Sequence, residues 1–197
     1  MASEKNGILI VIYGGNNSGK TTQAKLLVEG LKKEGHNATY LKYPIYDSPT
    51  GKRINGILRE GKEKSISEKE FQELYYENRK EFEPQLKKML KEGMIVVAED
   101  YIGTSLVWGS AKGAEYAYLK KLNADLVQED LAMVLDGARF QDAKEKGHIH
   151  EENDALMEKV LERHRQIGKE LGWTFINAHR KKEDVFNDIL AAVKKRM

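Results

Sequence analysis

Residues 8–22 read ILIVIYGGNNSGKTT and contain the strongest structural signal in this chain. The apolar run at residues 8–13 predicts a buried β-strand, and residues 14–21 match the pattern G-x-x-x-x-G-K-[ST] in full. Glycines let the backbone turn tightly enough to point successive N–H groups at one anion, and the helix that follows adds the positive end of its dipole. The stretch therefore predicts a strand, a phosphate-binding loop and a helix in direct succession.

The side chains of this loop have expected tasks in binding a nucleotide. Lys20 is placed to reach the β- and γ-phosphates, and the hydroxyl of Thr21 is placed to ligate Mg²⁺. The other residues expected to bind ATP are Gly14, Asn16, Asn17, Ser18, Gly19 and Thr22. The motif predicts triphosphate binding, and it does not say which molecule receives the phosphate.

Apolar runs and helical patterns alternate through the rest of the chain. Strands are predicted at residues 8–13, 38–43, 94–98, 131–135 and 173–178. Helical spacing marks residues 21–33, a capping box of Ser67 with Glu70 begins a second helix, and Asn153 is a candidate cap for a third. This alternation predicts an α/β fold, with a doubly wound parallel sheet of about five strands in one domain over residues 1–197.

Composition limits the classes of partner. The chain has 197 residues, a formal net charge of +2 and no cysteine. A nearly neutral chain has no general attraction for nucleic acid or membrane, so an anionic ligand must be held by local groups. We find no signal peptide and no apolar run long enough to span a bilayer, which makes a cytoplasmic protein the plain interpretation.

Four later segments follow the loop in an order typical of one enzyme family. They are residues 43–52, 74–79, 99–108 and 173–185. In their order and spacing the chain resembles the thymidylate kinase family of nucleoside-monophosphate kinases over nearly its whole length. The resemblance implies a P-loop kinase fold, ATP and Mg²⁺ as cofactors, and transfer of the γ-phosphate of ATP to dTMP to give dTDP.

The resemblance also implies roles in binding the acceptor. Tyr75 would stack on the pyrimidine ring, and Arg79 would donate a hydrogen bond to a base carbonyl. Trp108 would stand beside the sugar, and Pro44 and Tyr101 belong to matching acceptor segments. From the residues alone, Tyr75 and Trp108 could equally be core residues and Arg79 a solvated surface charge.

Two more residues acquire roles on the nucleotide side by the same resemblance. Glu99, at the end of the third predicted strand, would hold Mg²⁺ through water and count with Lys20 as catalytic. Arg180, after the last predicted strand, would stack on the adenine. A surface cation is the other interpretation of Arg180.

A lid and a dimer complete the expectations. Residues 139–151 follow the fourth predicted strand, are rich in charge, and predict a lid that closes over the phosphates; the alternative is an ordinary polar loop. Family analogy implies a homodimer. The apolar face of residues 71–90 could form that contact or could instead cover the sheet.

The chain departs from the family pattern near the expected acceptor phosphate. Asn16 stands where the family usually has a carboxylate, Ile45 stands where it has an arginine, and Asp100 replaces the arginine of an Asp-Arg-Tyr triplet. The lid lacks the usual close-set arginines. Cations that could compensate are Lys42, Lys52, Arg53 and Arg79.

These departures keep two other functions open. One is a deoxynucleoside kinase, in which Glu99 would act as a base toward the 5′-hydroxyl of an unphosphorylated acceptor. The other is an ATP-binding module with little kinase activity. A dTMP kinase is the function that the resemblance favours.

Overall fold

The computed structural model describes residues 7–59, 66–137 and 154–197, in which strands and helices alternate. The strands are β1 (Ile8–Gly14), β2 (Ala38–Lys42), β3 (Ile95–Glu99), β4 (Leu131–Asp136) and β5 (Thr174–Asn177). The helices are α1 (Lys20–Lys33), α2 (Pro49–Arg59), α3 (Glu68–Lys91), α4 (Ile102–Thr104), which continues as a π-helical turn at Ser105–Gly109, α5 (Tyr116–Leu122), α6 (Asp154–Glu170) and α7 (Lys182–Arg196).

The strands of the described residues form one parallel, five-stranded sheet in the order β2-β3-β1-β4-β5. β1 lies at the centre, so the loop that follows it leaves the middle of the sheet. The register sets Ile12 opposite Glu99 and Glu99 opposite Lys42. The carboxyl ends of β1, β3 and β2 therefore lie side by side, and their last side chains can meet.

Both faces of the sheet are covered, as the near-continuous apolar strands predicted. In β1, Leu9, Val11 and Tyr13 belong to one buried cluster, whereas Ile10 and Ile12 belong to the other. Helices α3, α5 and α6 contribute to the first cluster, and α1 and α7 contribute to the second. The predicted doubly wound α/β fold is confirmed.

Most predicted elements are present with slightly different ends. Each of the five predicted strands overlaps an observed one, and the capping box of Ser67 and Glu70 starts α3 with both of its hydrogen bonds. Helices α2 and α5 and the helical segment after β3 were not predicted, and α7 was expected only from the family resemblance of residues 173–185. The candidate cap Asn153 lies outside the described residues.

The apolar positions of α3 pack within the chain. Leu86 and Leu90 join the cluster on the sheet, and Phe71 and Leu74 pack with Ile54 and other residues of α2. Of the two expectations for residues 71–90, the structure supports covering of the protomer's own core. These four side chains are already buried within a single copy of the chain.

Helix composition also bears on membrane insertion. α3 is 24 residues long and carries charged residues along its length. Within the described ranges, none of the helices combines the length and the apolar character needed to cross a membrane.

Candidate active site

The phosphate loop joins β1 to α1 through backbone conformations that glycine adopts most easily. Gly14 has φ 149° and Gly19 has φ 89°, and Asn17 has φ 59°. A Cβ atom at Gly14 would lie 2.7 Å from Ser18 Oγ and 3.1 Å from the carbonyl oxygen of Leu135. The loop therefore depends on glycine at both ends of its tight turn.

The ammonium group of Lys20 lies against this loop. Its Nζ donates to the carbonyl oxygens of Gly14 and Gly15, each at 3.0 Å, and the residue is buried. Lys20 is also the first residue of α1, whose first-turn N–H groups have no acceptor within the helix. The loop, the ammonium and the helix start together form a site suited to the phosphates of a nucleotide.

Glu99, the last residue of β3, has partners on both carboxylate oxygens. Oε2 accepts hydrogen bonds from Thr21 Oγ1 at 2.7 Å and from the Tyr40 phenol at 2.6 Å. Oε1 lies 3.0 Å from Nζ of Lys42. The carboxylate thus connects the helix that follows the phosphate loop to the end of β2.

Electrostatics keep this group charged. Burial alone would raise the pKa of Glu99, but Lys42, the hydrogen bond from Tyr40, and Lys20 together hold that pKa below its usual value. Burial would lower the pKa of Lys42, yet the Glu99 carboxylate raises it above normal. Glu99 and Lys42 therefore form a charged pair at neutral pH.

Asp100 lies where the chain leaves the sheet, with a left-handed φ of 58°. Its Oδ1 accepts from Thr104 Oγ1 at 2.9 Å and lies 4.0 Å from Nζ of Lys20. Burial raises the pKa of Asp100; Lys20 opposes that effect and the charge of Glu99 adds to it. Two adjacent carboxylates thus face the same region as the phosphate loop.

A cavity of about 770 Å³ opens at the carboxyl ends of the strands, where parallel α/β sheets bind their ligands. We call the part of the cavity next to the phosphate loop the donor side, after the expected phosphate donor. It is formed by the phosphate loop, the start of α1 and the segment after β5: residues 16–23, Ala178, Arg180, Lys181, Lys182 and Val185. We call the rest the acceptor side, after the expected phosphate acceptor; it comes from β2, α2, α3 and the helix after β3: Lys42, Tyr43, Pro44, Tyr46, Leu58, Glu68, Phe71, Gln72, Tyr75, Asn78, Arg79, Thr104, Ser105, Trp108 and Lys112. Glu99 and Asp100 lie between the two sides.

Asn78 anchors the segment between β2 and α2. Its Oδ1 accepts from the Ile45 amide at 2.8 Å, and its Nδ2 lies 3.2 Å from the Ile45 carbonyl oxygen. The same Nδ2 lies 3.0 Å from each of the hydroxyls of Ser48 and Thr50. This buried amide fixes one wall of the acceptor side relative to α3.

Arg79, one residue further on, is a buried guanidinium with donors to spare. Nη1 donates to Asn123 Oδ1 at 3.2 Å, and Nε has no hydrogen-bond partner among the described residues. Burial lowers the pKa of Arg79, which four surrounding tyrosines partly offset, and arginine stays protonated. No carboxylate in residues 7–59, 66–137 or 154–197 pairs with it. A neutral acceptor such as a base carbonyl suits this group.

A chain of polar side chains continues along the acceptor side. Ser105 Oγ donates to Gln72 Oε1 at 2.6 Å, and Gln72 Nε2 donates to Glu68 Oε1 at 2.7 Å. Lys112 Nζ lies 3.7 Å from Glu68 Oε2. Ser105 begins the π-helical turn that also carries Trp108, and such turns occur frequently at functional sites.

Sequence comparison identifies the family to which these features belong. A sequence model of the thymidylate kinase family matches residues 12–189. Human thymidylate kinase is 30% identical over 191 residues, covering 94% of this chain and 89% of the human one. The chain belongs to the thymidylate kinase family. A probable thymidylate kinase from Thermococcus onnurineus is 34% identical over 199 residues, covering 94% of this chain and 97% of that one.

A solved structure agrees on the fold. The thymidylate kinase of Candida albicans superposes with a TM-score of 0.79 at 23% identity, covering 96% of this chain and 92% of that one. Membership of the thymidylate kinase family confirms the expected class of enzyme, a nucleotide kinase with ATP as phosphate donor.

Most of the residues predicted from the sequence line the cavity. They are Asn16, Asn17, Ser18, Gly19, Lys20, Thr21, Thr22, Pro44, Tyr75, Arg79, Glu99, Trp108 and Arg180. Gly14 is not among the lining residues and instead accepts a hydrogen bond from Lys20. Tyr101 is also outside the lining: it is fully buried, and its ring centroid lies 4.9 Å from that of Tyr43. Its place in the structure is behind the wall rather than in it.

Several side chains combine a structural contact with a place in the cavity. The Tyr75 ring lies 4.7 Å from that of Phe71, and half-buried Trp108 packs against the core while it lines the cavity. Arg180 pairs with Asp188 and donates to the carbonyl oxygen of Asn177 at 3.3 Å. Tyr75, Trp108 and Arg180 are therefore each held in place by contacts within the chain.

The positions that depart from the thymidylate kinase pattern differ in what they contact. Both backbone polar groups of Ile45 bind Asn78, and its side chain packs against the core. Asp100 faces Lys20, as described above. Lys52 and Arg53 are exposed and do not line the cavity, whereas Lys42 and Arg79 do. The candidate lid, residues 139–151, lies outside the described residues.

Sequence reasoning missed several residues of the site. Tyr40 and Gln72 were not singled out, and Asn78 and Ser105 entered only as members of segments 74–79 and 99–108. Lys42 was one of four candidate cations. The pairing of Lys42 with Glu99 could have been found from the parallel register, because both are the last residues of neighbouring strands.

Proposed function

We propose that this chain is a dTMP kinase, which transfers the γ-phosphate of ATP to dTMP and releases dTDP and ADP. One observation carries the proposal. One cavity joins a phosphate loop to an acceptor side with two aromatic side chains, Tyr75 and Trp108, and with a buried arginine that no carboxylate of the described residues neutralises. Membership of the thymidylate kinase family supports dTMP as the acceptor.

On the donor side, the loop amides and Lys20 would bind the β- and γ-phosphates. The hydroxyl of Thr21 and the ionised carboxylate of Glu99 fit a magnesium ion, because they are hard oxygen donors 2.7 Å apart beside the loop. In the proposal Thr21 ligates the ion and Glu99 holds it through water. Mg²⁺ would supply positive charge between the phosphates. Arg180 would border the adenine.

On the acceptor side, Arg79 would donate to a carbonyl of the pyrimidine and Tyr75 would stack on its ring. Because arginine only donates hydrogen bonds, it suits the 4-carbonyl of thymine or uracil and opposes the 4-amino group of cytosine. Trp108 would stand beside the sugar, and Pro44 belongs to the wall that Asn78 fixes. These contacts would orient the acceptor phosphate toward the phosphate loop.

Phosphoryl transfer needs positioning and charge neutralisation more than covalent chemistry from the protein. The acceptor phosphate oxygen attacks the γ-phosphorus, the bond to the β-γ bridging oxygen breaks, and ADP leaves with that electron pair. The ammonium of Lys20 would stabilise the negative charge on the phosphoryl group during its transfer. Asn78 and Arg79 would keep the acceptor in line.

The proposal extends to regions that the structure does not describe. Residues 139–151 would act as the lid of one domain that spans residues 1–197. By analogy with the family, two copies would form a homodimer. The molar mass in solution, measured by light scattering, tests this. A cytoplasmic location fits a chain without cysteine.

One assay tests the function. ADP release is measured with ATP and Mg²⁺ in the presence of dTMP, dUMP, dCMP, thymidine or no acceptor. We expect turnover with dTMP, less with dCMP, and none above background with thymidine. Turnover with thymidine but not dTMP would replace the proposal by a deoxynucleoside kinase. ADP release that ignores every acceptor would indicate an ATP-binding module.

A further inference from the structure

The proposed reaction brings a dianionic acceptor phosphate to the boundary between the two sides of the cavity. Two carboxylates, Glu99 and Asp100, stand at that boundary. Lys20 lies on the phosphate loop, bonded to two of its carbonyl oxygens. A further cation on the acceptor side is therefore needed to hold a phosphate against this local negative charge.

Three cations line the acceptor side within the described residues: Lys42, Arg79 and Lys112. Arg79 is buried on α3, and the proposed function assigns its free donors to a carbonyl of the pyrimidine. Lys112 contacts the first turns of α3, with Nζ 3.7 Å from Glu68 Oε2 and 5.9 Å from the Phe71 ring centroid. Arg79 and Lys112 therefore both lie on or beside α3, in the part of the cavity where the base is expected. Lys42 remains.

Lys42 is connected to the phosphate loop through a single carboxylate. Its Nζ lies 3.0 Å from Glu99 Oε1, while the other oxygen of Glu99 accepts from Thr21 at 2.7 Å. The two oxygens of Glu99 thus serve different partners, one on the donor side and one on the acceptor side. Lys42 also directly precedes Tyr43 and Pro44, which form the acceptor wall.

The ammonium group of Lys42 is available to a ligand. Its side chain is 46% exposed, although it lines the cavity. An ammonium has three donors, and the pair with Glu99 occupies one of them. The Glu99 carboxylate restricts the ammonium to the boundary, so that less ordering is needed when a phosphate binds.

We propose that Lys42 binds the acceptor phosphate, and that Glu99 holds its ammonium between the donor and acceptor sites. The inference rests on the proposed function, since it assumes an acceptor that carries a phosphate. It assigns to Lys42 the charge that the family arginines would supply at positions 45 and 100. The ligand class is a nucleoside monophosphate.

The test compares two ligands that differ only in the phosphate. Binding of dTMP and of thymidine is measured by calorimetry without ATP or metal, for the wild type, Lys42→Met and the exposed control Lys33→Met. We expect Lys42→Met to weaken the binding of dTMP about ten- to thirty-fold, as for the loss of one partly exposed charge-assisted bond. The affinity for thymidine should stay within about two-fold of the wild-type value. Retained thymidine binding also shows that the variant is folded. Lys33→Met should match the wild type.

A second variant separates direct contact from an effect through Glu99, because removal of Lys42 takes away the ion-pair partner of Glu99 Oε1. The same binding is measured for Glu99→Gln and for Lys42→Met combined with Glu99→Gln. Glutamine keeps an oxygen that the Lys42 ammonium can bind, so direct contact predicts that the loss of dTMP affinity persists in the Glu99→Gln background. A loss that disappears there would overturn the inference, as would equal losses for dTMP and thymidine, or no loss.

Failure of the inference and failure of the proposed function remain distinguishable. The function is judged by whether the wild type turns over dTMP in the ADP assay. The inference is judged by the ratio of dTMP to thymidine affinity across the Lys42 variants. If the wild type turns over dTMP but the ratio of dTMP to thymidine affinity does not depend on Lys42, the proposed function stands and the phosphate contact is overturned. If the wild type does not turn over dTMP but the ratio depends on Lys42, the phosphate contact stands and the proposed function is overturned.

Discussion

Thr21 Oγ1 and Glu99 Oε2 lie 2.7 Å apart, which ties the first turn of α1 to the end of β3. The two residues are far apart in sequence, and they meet because β3 is paired with the strand that leads into the phosphate loop. A hydroxyl and a carboxylate in this arrangement suit a divalent cation that also contacts phosphate oxygens. The pair is the structural basis for the magnesium role proposed here.

Replacement of Glu99 by glutamine should raise the Mg²⁺ concentration required for turnover about ten- to hundred-fold. Glutamine keeps the size of the side chain and an oxygen for the Thr21 hydroxyl, but it removes the negative charge that would hold a water-linked ion. The measurement is the rate of ADP release against Mg²⁺ concentration at saturating ATP and dTMP. Glu92→Gln, at the exposed end of α3, serves as the matched control. An unchanged Mg²⁺ requirement in Glu99→Gln would remove Glu99 from the metal site.

Replacement of Asn78 by alanine should weaken the acceptor side without weakening ATP binding. The buried amide contacts both backbone groups of Ile45 and two hydroxyls, so its loss should lower the free energy of unfolding by about 2 kcal/mol. The KM for dTMP should rise about ten-fold while the KM for ATP changes little. Denaturant unfolding and steady-state kinetics check the two parts. The exposed Asn187→Ala is the control, and an equal rise in both KM values would contradict the assignment.

The parts of this molecule that sequence predicted depend on local pattern. The run at residues 8–13 is continuous and apolar because β1 is covered on both faces, and the loop is encoded by glycines whose φ values few other residues adopt. The capping box of Ser67 and Glu70 is equally local, with both partners within one turn. Each of these signals lies within a few residues of the structure that it forms.

The parts that escaped prediction depend on contacts between distant segments. Tyr40 on β2 reaches Glu99 on the neighbouring strand β3, and Asn78 binds a segment that lies about thirty residues earlier. Gln72 and Ser105 meet only because α3 packs beside the π-helical turn. Such side chains carry no sequence signature, since the same residue types occur throughout any soluble surface.

Replacement of Asp100 by asparagine should strengthen binding of anionic ligands. The carboxylate lies 4.0 Å from Nζ of Lys20 and faces the cavity, so its charge opposes both donor and acceptor phosphates. Asparagine tolerates the left-handed φ of 58° and retains an oxygen for Thr104. At pH 8 and low salt, we expect the KM for dTMP to fall about three- to ten-fold, an effect that salt should reduce.

Surface charge alone should not produce that change. Asp125→Asn, on an exposed carboxylate paired with Lys80, is the control and should leave the KM for dTMP unchanged. A rise in KM for Asp100→Asn would show that the carboxylate has a positive role in the site. Asp100 would then be a group that positions Lys20.

His164 should make the stability of the protein depend on pH between about 4 and 6.5. The residue is buried on α6, and Nδ1 donates to the carbonyl oxygen of Val160 at 2.9 Å. Burial, with a smaller contribution from Lys20, lowers the pKa of His164 from 6.5 to about 4, although the Val160 carbonyl and Asp136 act in the opposite direction. The folded state therefore favours the neutral imidazole.

The sign of the effect follows from proton binding. Between pH 6.5 and 4 the unfolded chain takes up a proton at His164 that the folded chain does not, so stability falls as the pH falls. The full contribution is present above pH 6.5, and about 3 kcal/mol is lost on reaching pH 4. Urea unfolding across this range should give a shallower pH dependence for His164→Gln than for the wild type, with the exposed His179→Gln as control. Parallel curves for the wild type and His164→Gln would show that this imidazole is protonated equally in the folded and unfolded states.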